Sequence, residues 1–389
     1  MAKRFRILVA HNVPSAHPGG MGRLMGFIHD YMIRKGHSIE FFCADDIPAR
    51  LQGRATRFTF PILARQRAID AARAGNPYDL INIHEPSAAA ISTSKKAAGN
   101  PVVVVTSYGI ERRGWELMLE ERRLGRGGPS LKTRLIYPPT SLWQSRWGLQ
   151  RANHILCSNS EDCDYLVRWL GISPAKITRM FSGADPTYAT SVKRRNYSSA
   201  NRLLFAGTWI KRKGIEDLVP AFTALASRRS DLTLTVLGAG VAETVVRSAF
   251  PEEIRSRVSC ISTNNELENV AIYAASDIYV LPSLFEGTPL TLVEAMMSGI
   301  PVVTTAVCGM KDLIEHDGNG LLVPIRSPER IASAIERLLG DAQLRARLGQ
   351  AAQQEALEKY SWERVAEPLL DVYERLCSRQ NGHSKSINR

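Results

Sequence analysis

Short apolar runs alternate with helix-period segments along this chain, and the whole series occurs twice. The first series reads RILVA, a helix from about Gly20 to Lys35, SIEFFCA, a helix near 65–75, LINIH, a helix near 87–97, and VVVVTS. After a charged stretch at 111–151 come HILCS, a helix beginning near Glu161, and KITRMFS. The second series runs RLLFAG, LTLTVLG, VSCIS, DIYVLPS and IPVVTT, with helices after Gly214, near 242–249, near 266–275 and from about Pro289 to Ser298. Strands apolar on both faces and separated by helices specify parallel sheets covered on both sides. The pattern predicts an α/β chain of two doubly wound parallel-sheet units, each with its ligand loops at the carboxyl ends of its strands. Facing one another, those loops would form one cleft.

Length agrees, because 389 residues exceed what one core usually organises. The expected units are 1–185 and 201–360, joined by the polar, aperiodic segment 186–200. A last helix at 361–378 carries Trp362 and Tyr373, and 379–389 reads as a frayed, disordered tail.

No apolar stretch reaches the roughly 20 residues of a bilayer-spanning helix, and the start MAKRFRILVAHNV is too short in apolar run for a signal peptide. A cytoplasmic protein is expected. Cys43, Cys157, Cys163, Cys260, Cys308 and Cys377 form no C-x-x-C pair or His cluster, which predicts reduced thiols filling core space. The net charge of +12 lies in the first half, where residues 1–200 carry 29 Lys and Arg against 15 Asp and Glu. Such a one-sided field suits a nucleic acid, an anionic leaflet or a phosphorylated substrate.

The segment LPSLFEGTPLTLVEAMMSGIPVV places Glu286 and Glu294 on either side of seven residues that include Gly287, Thr288, Pro289 and Leu290. Pro289 suits a first helical turn, which leaves Glu286 in the preceding loop and Glu294 about one turn inside. The free N–H groups and helix dipole there favour an anion such as a diphosphate, while two carboxylates can accept hydrogen bonds from sugar hydroxyls. The alternative is that Glu286 caps the helix and Glu294 makes a surface pair. A second loop, FAGTWIKRKG, puts Gly207 at a strand end and Lys211, Arg212 and Lys213 before the next helix, where three cations can neutralise phosphates or form a solvated basic turn. Gly19 and Gly20, after the first strand, allow close backbone approach.

Taken with KGHSIEFF, DLINIHEP around His84, CSNS, FSGAD, LGAG, GNGLLVP and the closing SWERVAEPLLDVYERL, these loops resemble glycosyltransferase family 4 over nearly the whole chain. That resemblance implies the GT-B fold and retaining, sugar-nucleotide-dependent transfer. It implies that the first unit binds the acceptor, the second the nucleotide sugar, and that the last helix crosses back to the first unit. Glu294 would hold the ribose, Glu286 the donor sugar, Lys213 the diphosphate, and Gly19 and Gly20 the sugar-phosphate. No metal or other cofactor is implied. The resemblance further implies a setting in cell-surface polysaccharide or glycolipid synthesis, at the inner face of the cytoplasmic membrane.

Two positions depart from the family's pattern. Thr208 stands where the family often has Arg, so that Lys211 or Arg212 would compensate. Tyr108 stands where the family has a His facing the donor sugar. A phenol with a pKa near 10 carries a proton poorly at neutral pH, so Tyr108 supports the alternative of an inactive sugar-nucleotide-binding or scaffold protein. His84, ending the third strand, is a second candidate catalytic group or a structural residue. A sugar-nucleotide epimerase shares the fold and is a minor alternative.

Asp162-Cys163-Asp164 spells a D-x-D, but in a helix start, so Ser160–Asp164 is read as helix capping with no metal. Gly238-Ala239-Gly240 lacks the third glycine of a dinucleotide fingerprint, and no recognition motif for nucleic acid appears. From Glu111 to Arg151, nine Lys and Arg interleave with Trp115, Tyr137, Trp143 and Trp147, a pattern suited to an anionic membrane surface or to a solvated helical pair.

Overall fold

The computed structural model describes residues 4–14, 20–53, 56–190, 195–263 and 265–387. The chain divides into two compact units, Met1–Phe181 with Val365–Arg389, and Ser182–Arg364.

The first unit runs β1 (Arg6–Ala10), α1 (Gly20–Arg34), β2 (Ser38–Phe42), α2 (Thr56–Arg73), β3 (Leu80–His84), α3 (Ala89–Ser92) and β4 (Val102–Ser107). Then come α4 (Glu111–Arg123), α5 (Leu131–Tyr137), α6 (Trp143–Arg151), β5 (His154–Cys157), α7 (Ser160–Leu170) and β6 (Ile177–Arg179). Its six strands are parallel in the order β2-β1-β3-β4-β5-β6, with Ile7 opposite Leu80 and Leu80 opposite Val102. Leu8, Ile81, Val103 and Ile155 bury one face of the sheet against Phe60, Ala64 and Ala68 of α2.

The second unit runs α8 (Thr187–Thr190), β7 (Arg202–Ala206), α9 (Ile215–Ala226), β8 (Thr233–Leu237), α10 (Glu243–Ser248), β9 (Val258–Ile261), α11 (Glu266–Ala275) and β10 (Ile278–Leu281). It continues through α12 (Leu290–Met297), β11 (Val302–Thr305), α13 (Cys308–Leu313), β12 (Leu321–Val323), α14 (Pro328–Gly340) and α15 (Ala342–Lys359). Its strands are parallel in the order β12-β11-β10-β7-β8-β9. In each sheet the strand order reverses beside the first strand, between β1 and β3 and between β7 and β10. Open α/β sheets bind ligands in the crevice that such a reversal leaves at the strands' carboxyl ends.

α16 (Trp362–Ile387) ends the described chain, and from Val365 onward it belongs to the first unit. There the Asn82 amide donates to the Tyr373 hydroxyl at 2.6 Å, a buried bond that fixes the helix on the sheet. The segment expected as a tail is helical as far as Ile387.

Other expectations need correction. The first unit closes at Phe181 rather than 185. The expected linker contains α8, whose Tyr188 is fully buried edge-on to Tyr273 at 5.3 Å. The helix expected near 65–75 begins at Thr56 and accommodates Pro61. The one expected at 87–97 stops at Ser92, where the Thr93 hydroxyl bonds back to the carbonyls of Ala89 and Ala90. Cys157 and Cys163 are joined by a disulfide from the end of β5 to α7, whereas Cys43, Cys260, Cys308 and Cys377 are free thiols.

Among the described residues, no helix is long and apolar enough to cross a membrane.

Candidate functional site

In the second unit, the loops after β7, β8 and β10 are tied together by backbone hydrogen bonds. Gly207 and Trp209 donate to the carbonyls of Leu237 and Ala239, and Leu284 donates to that of Arg212. Gly214 ends the basic turn and opens α9 with φ +75°; a Cβ there would stand 1.8 Å from the Pro282 carbonyl oxygen, so only glycine lets the two loops close on each other. The Lys213 stem lies across Gly207, whose φ of +147° also suits glycine.

This closure delivers the three cations to different partners. Lys213 Nζ is 2.7 Å from Glu286 Oε1 and Arg212 Nη1 is 3.2 Å from Glu286 Oε2. Arg212 also donates to the Phe285 carbonyl at 2.7 Å. Lys211 turns outward to Glu216. Thr208 is exposed, next to Gly240 of the following loop.

Glu286 is 6% exposed, and burial works to raise its pKa; the charges of Lys213 and then Arg212 outweigh that and hold it below the ordinary carboxylate value. The Ser283 hydroxyl adds a hydrogen bond at 3.0 Å. Glu286 is thus a buried carboxylate kept ionised by its neighbours, not the helix cap of the alternative reading.

Pro289 is the residue that caps α12, in extended conformation, and Leu290 is its first helical residue. Every described residue of α12 except Thr291 is buried, Glu294 among them at 2%. Its Oε2 accepts from the Tyr273 hydroxyl at 2.8 Å, which replaces the surface pair of the alternative reading. Burial, and then the Glu294 charge, push the Tyr273 phenol well up, so it remains a donor. Gly287 and Thr288 are fixed by their backbones. Gly309 packs so closely on the Gly287 carbonyl that a Cβ would fall 1.7 Å from it, and the Ser182 hydroxyl donates to the Thr288 carbonyl at 2.8 Å.

In the first unit, His84 follows the β3 ladder to its end and Tyr108 follows β4. Their rings lie edge to face with centroids 5.1 Å apart, and His11 is 5.4 Å from His84 on the other side. His84 is 4% exposed, and neither ring nitrogen has a hydrogen-bond partner among the described residues. Burial, then His11 and His29, push its pKa well down, so the ring is neutral. The Tyr108 hydroxyl donates to Met25 Sδ at 2.8 Å, and burial pushes the phenol far up. Gly20 begins α1, while Gly19 lies outside the described residues.

Asp162-Cys163-Asp164 opens α7, but none of the three is the capping residue. Asn159 caps α7 instead, and Asp162 is paired with Arg113 and accepts from the Ile110 N–H. Among the described residues, no group of three or more His, Cys, Asp or Glu is placed to hold a metal ion.

Sequence reasoning missed Tyr273, Ser283 and Ser182. Tyr273 and Ser182 reach the site from other elements, which nothing in the E-x7-E segment signals, whereas Ser283 stands three residues before Glu286 in the same loop.

Comparison with known proteins agrees with this arrangement. The Glycosyltransferase Family 4 model matches residues 18–188 and the model for Glycosyl transferases group 1 matches 189–355. D-inositol 3-phosphate glycosyltransferase of Corynebacterium aurimucosum is 31% identical over 242 residues, covering 58% of this chain and 57% of the relative. The chain spans about half the length of the curated relatives it matches, from 44% to 64%.

Among solved structures, sucrose-phosphate synthase from Thermosynechococcus elongatus superposes with a TM-score of 0.75 at 19% identity, covering 97% of this chain and 100% of that one. Anabaena Alr3699/HepE in complex with UDP-glucose gives 0.68 at 16% identity over 95% and 99% of the two chains. These neighbours share the GT-B fold. Two adjoining family models across residues 18–355 place the chain in glycosyltransferase family 4.

Proposed function

We propose that this chain is a retaining glycosyltransferase that moves a hexose from a nucleoside-diphosphate sugar to a glycan or lipid-linked acceptor without a metal ion. The observation that carries the reading is the pair of buried carboxylates in one loop-helix segment, Glu286 held by Lys213 and Arg212, and Glu294 held by Tyr273. A buried carboxylate is costly unless its lone pairs are used, and both are placed to accept hydroxyl hydrogens. HepE, of the same fold, is solved with UDP-glucose, which supports a nucleotide sugar as the donor.

In this reading Glu294 takes the ribose hydroxyls and Glu286 those of the hexose. Lys213, with Arg212, faces the diphosphate, together with the first N–H groups of α12. Transfer forms the bond from the acceptor oxygen to the anomeric carbon and breaks the bond from that carbon to the diphosphate oxygen on the same face. The acceptor proton passes to the leaving diphosphate. The protein's contribution is to stabilise charge growing on that diphosphate, for which Lys213 is preorganised by its ion pair. Tyr108, whose hydroxyl stays protonated, orients and does not titrate. The first unit serves the acceptor, in a cell-envelope pathway at the inner face of the cytoplasmic membrane.

Tyr108 specifically favours a second reading, a sugar-nucleotide-binding protein without turnover. A thermal-shift series with UDP, GDP, ADP and CMP and their sugar conjugates, with and without EDTA, tests the site. A selective shift insensitive to EDTA is expected, about 2.7 kcal/mol at 100 times the dissociation constant. No shift with any of them in folded protein refutes both readings, and a shift without donor turnover selects the second.

A further inference from the structure

Between Arg122 and Arg151 the chain carries seven cations and no Asp or Glu. Over the same stretch α5, the π-helical turn Pro138–Leu142 and α6 form one continuous helical run. α5 buries none of its residues, and its Leu131 and Leu135 are 66% and 68% exposed. Pro139 and Trp143 follow at the same spacing of four, both exposed, Trp143 at 53%. An ordinary helix turns every 3.6 residues and would carry this spacing around its axis, but the wider π turn takes up the drift. The result is one apolar stripe roughly 18 Å long. Leu124, at the end of α4, is exposed as well.

The cations around this stripe are of two kinds. Arg126 pairs with Glu121 at 3.1 Å, and Arg151 stacks over the Trp147 ring at 3.3 Å. Arg122, Arg123, Lys132, Arg134 and Arg146 are exposed and have no carboxylate partner among the described residues. Apolar surface of this extent on a folded unit marks a place that something else covers.

Charge and shape together select the occupant. A nucleic acid or acidic glycan would engage the cations and leave the leucines in water. A second copy of the same face would set like charges against each other. An anionic lipid surface satisfies both halves, with leucines and tryptophan entering the interface while the cations meet headgroup phosphates.

We infer that this face of the first unit docks on an anionic membrane, with Leu131, Leu135 and Trp143 entering the interface and Arg122, Arg123, Lys132, Arg134 and Arg146 holding the headgroups. This deepens the proposed function by naming the surface where a lipid-linked acceptor is met, and it rests on that reading for this link alone.

The test is co-sedimentation of the full chain with phosphatidylcholine vesicles and with vesicles containing about one quarter phosphatidylglycerol, at low and high salt. The expected result is binding to the anionic vesicles only, relieved by salt. Leu131→Ser/Leu135→Ser and Lys132→Glu/Arg134→Glu should each weaken it at least about tenfold while keeping the parent melting temperature and nucleotide shift. Absence of anionic-vesicle binding overturns the inference. So does a leucine variant that binds as tightly as the parent, because the patch would then read charge alone, as for a soluble polyanion. Intact vesicle binding in a chain that shows no nucleotide shift would instead sink the glycosyltransferase reading and leave this one standing.

Discussion

The ε-amino group of Lys213 lies 2.7 Å from Glu286 Oε1, so the side chains assigned to the diphosphate and to the hexose form an ion pair with each other. Burial acting on Glu286 is outweighed by this pair and by Arg212, and its folded pKa is below the ordinary 4.5. A carboxylate with a depressed pKa contributes stability that is present above its unfolded value and lost as pH falls through the folded one. Acid unfolding followed by circular dichroism should therefore show part of the stability lost below pH 4.5, and Glu286→Gln should flatten that part of the curve. At neutral pH the same variant should lower turnover by about a hundredfold with a smaller effect on nucleotide binding.

Glu294→Ala should behave differently. It removes the acceptor of the Tyr273 hydroxyl at 2.8 Å, although Thr291 O at 3.2 Å retains part of that bond. Chemical denaturation should register a loss of about 1–2 kcal/mol, and the thermal shift from nucleoside diphosphates should vanish. Nucleotide binding at the parent affinity would show that Glu294 is a core residue and nothing more.

Gly214→Ala tests whether loop closure builds the site. The added methyl group has to occupy space 1.8 Å from the Pro282 carbonyl at a φ of +75°. We expect a loss of about 2 kcal/mol or more in denaturant unfolding, together with weakened nucleotide binding, because Lys213 and Glu286 sit on the two segments forced apart.

A pH effect of the opposite sign is expected from Glu85 in the first unit. Burial, the largest cause, pushes its carboxyl up to about 7, although the Ser145 hydroxyl and the Glu111 N–H donate to it. A raised acid pKa means the folded state holds the proton longer, so stability falls as pH rises from 4.5 towards 7. Urea unfolding at pH 5 and pH 8 should show that Glu85→Gln reduces this difference by about 2 kcal/mol; an unchanged difference would place the titration elsewhere.

The two sheets and the positions of Glu286, Glu294 and Lys213 were legible because strands buried on both faces read as unbroken apolar runs and the ligand loops follow directly from them. What was not legible depends on distant partners. Tyr188 makes the supposed linker a packed helix by meeting Tyr273, far along the chain. Tyr273 in turn holds Glu294 from α11, and no local pattern marks a tyrosine for that role. The spacing of Cys157 and Cys163 carries no disulfide motif, yet the strand-to-helix turn at Ser158 and Asn159 brings them together. His84 ends β3 and Tyr108 directly follows β4, as catalytic candidates do, and only the fold reveals that one is a neutral imidazole and the other a phenol bonded to a methionine sulfur.

Those two residues give a further expectation. With His84 held neutral and Tyr108 held protonated, neither changes charge between about pH 6 and pH 9. Tyr108→Phe should keep turnover within about threefold of the parent, with the same pH profile. A new limb in that profile would assign Tyr108 a proton-transfer role.

The most direct test of the account is proton NMR of the anomeric signals while the chain, in EDTA, consumes the nucleotide sugar selected by thermal shift. The account predicts that the parent releases nucleoside diphosphate and forms product with the donor's anomeric configuration, and that Glu286→Gln does so far more slowly. Inverted product, a requirement for metal, or no consumption by protein that binds the donor would contradict it.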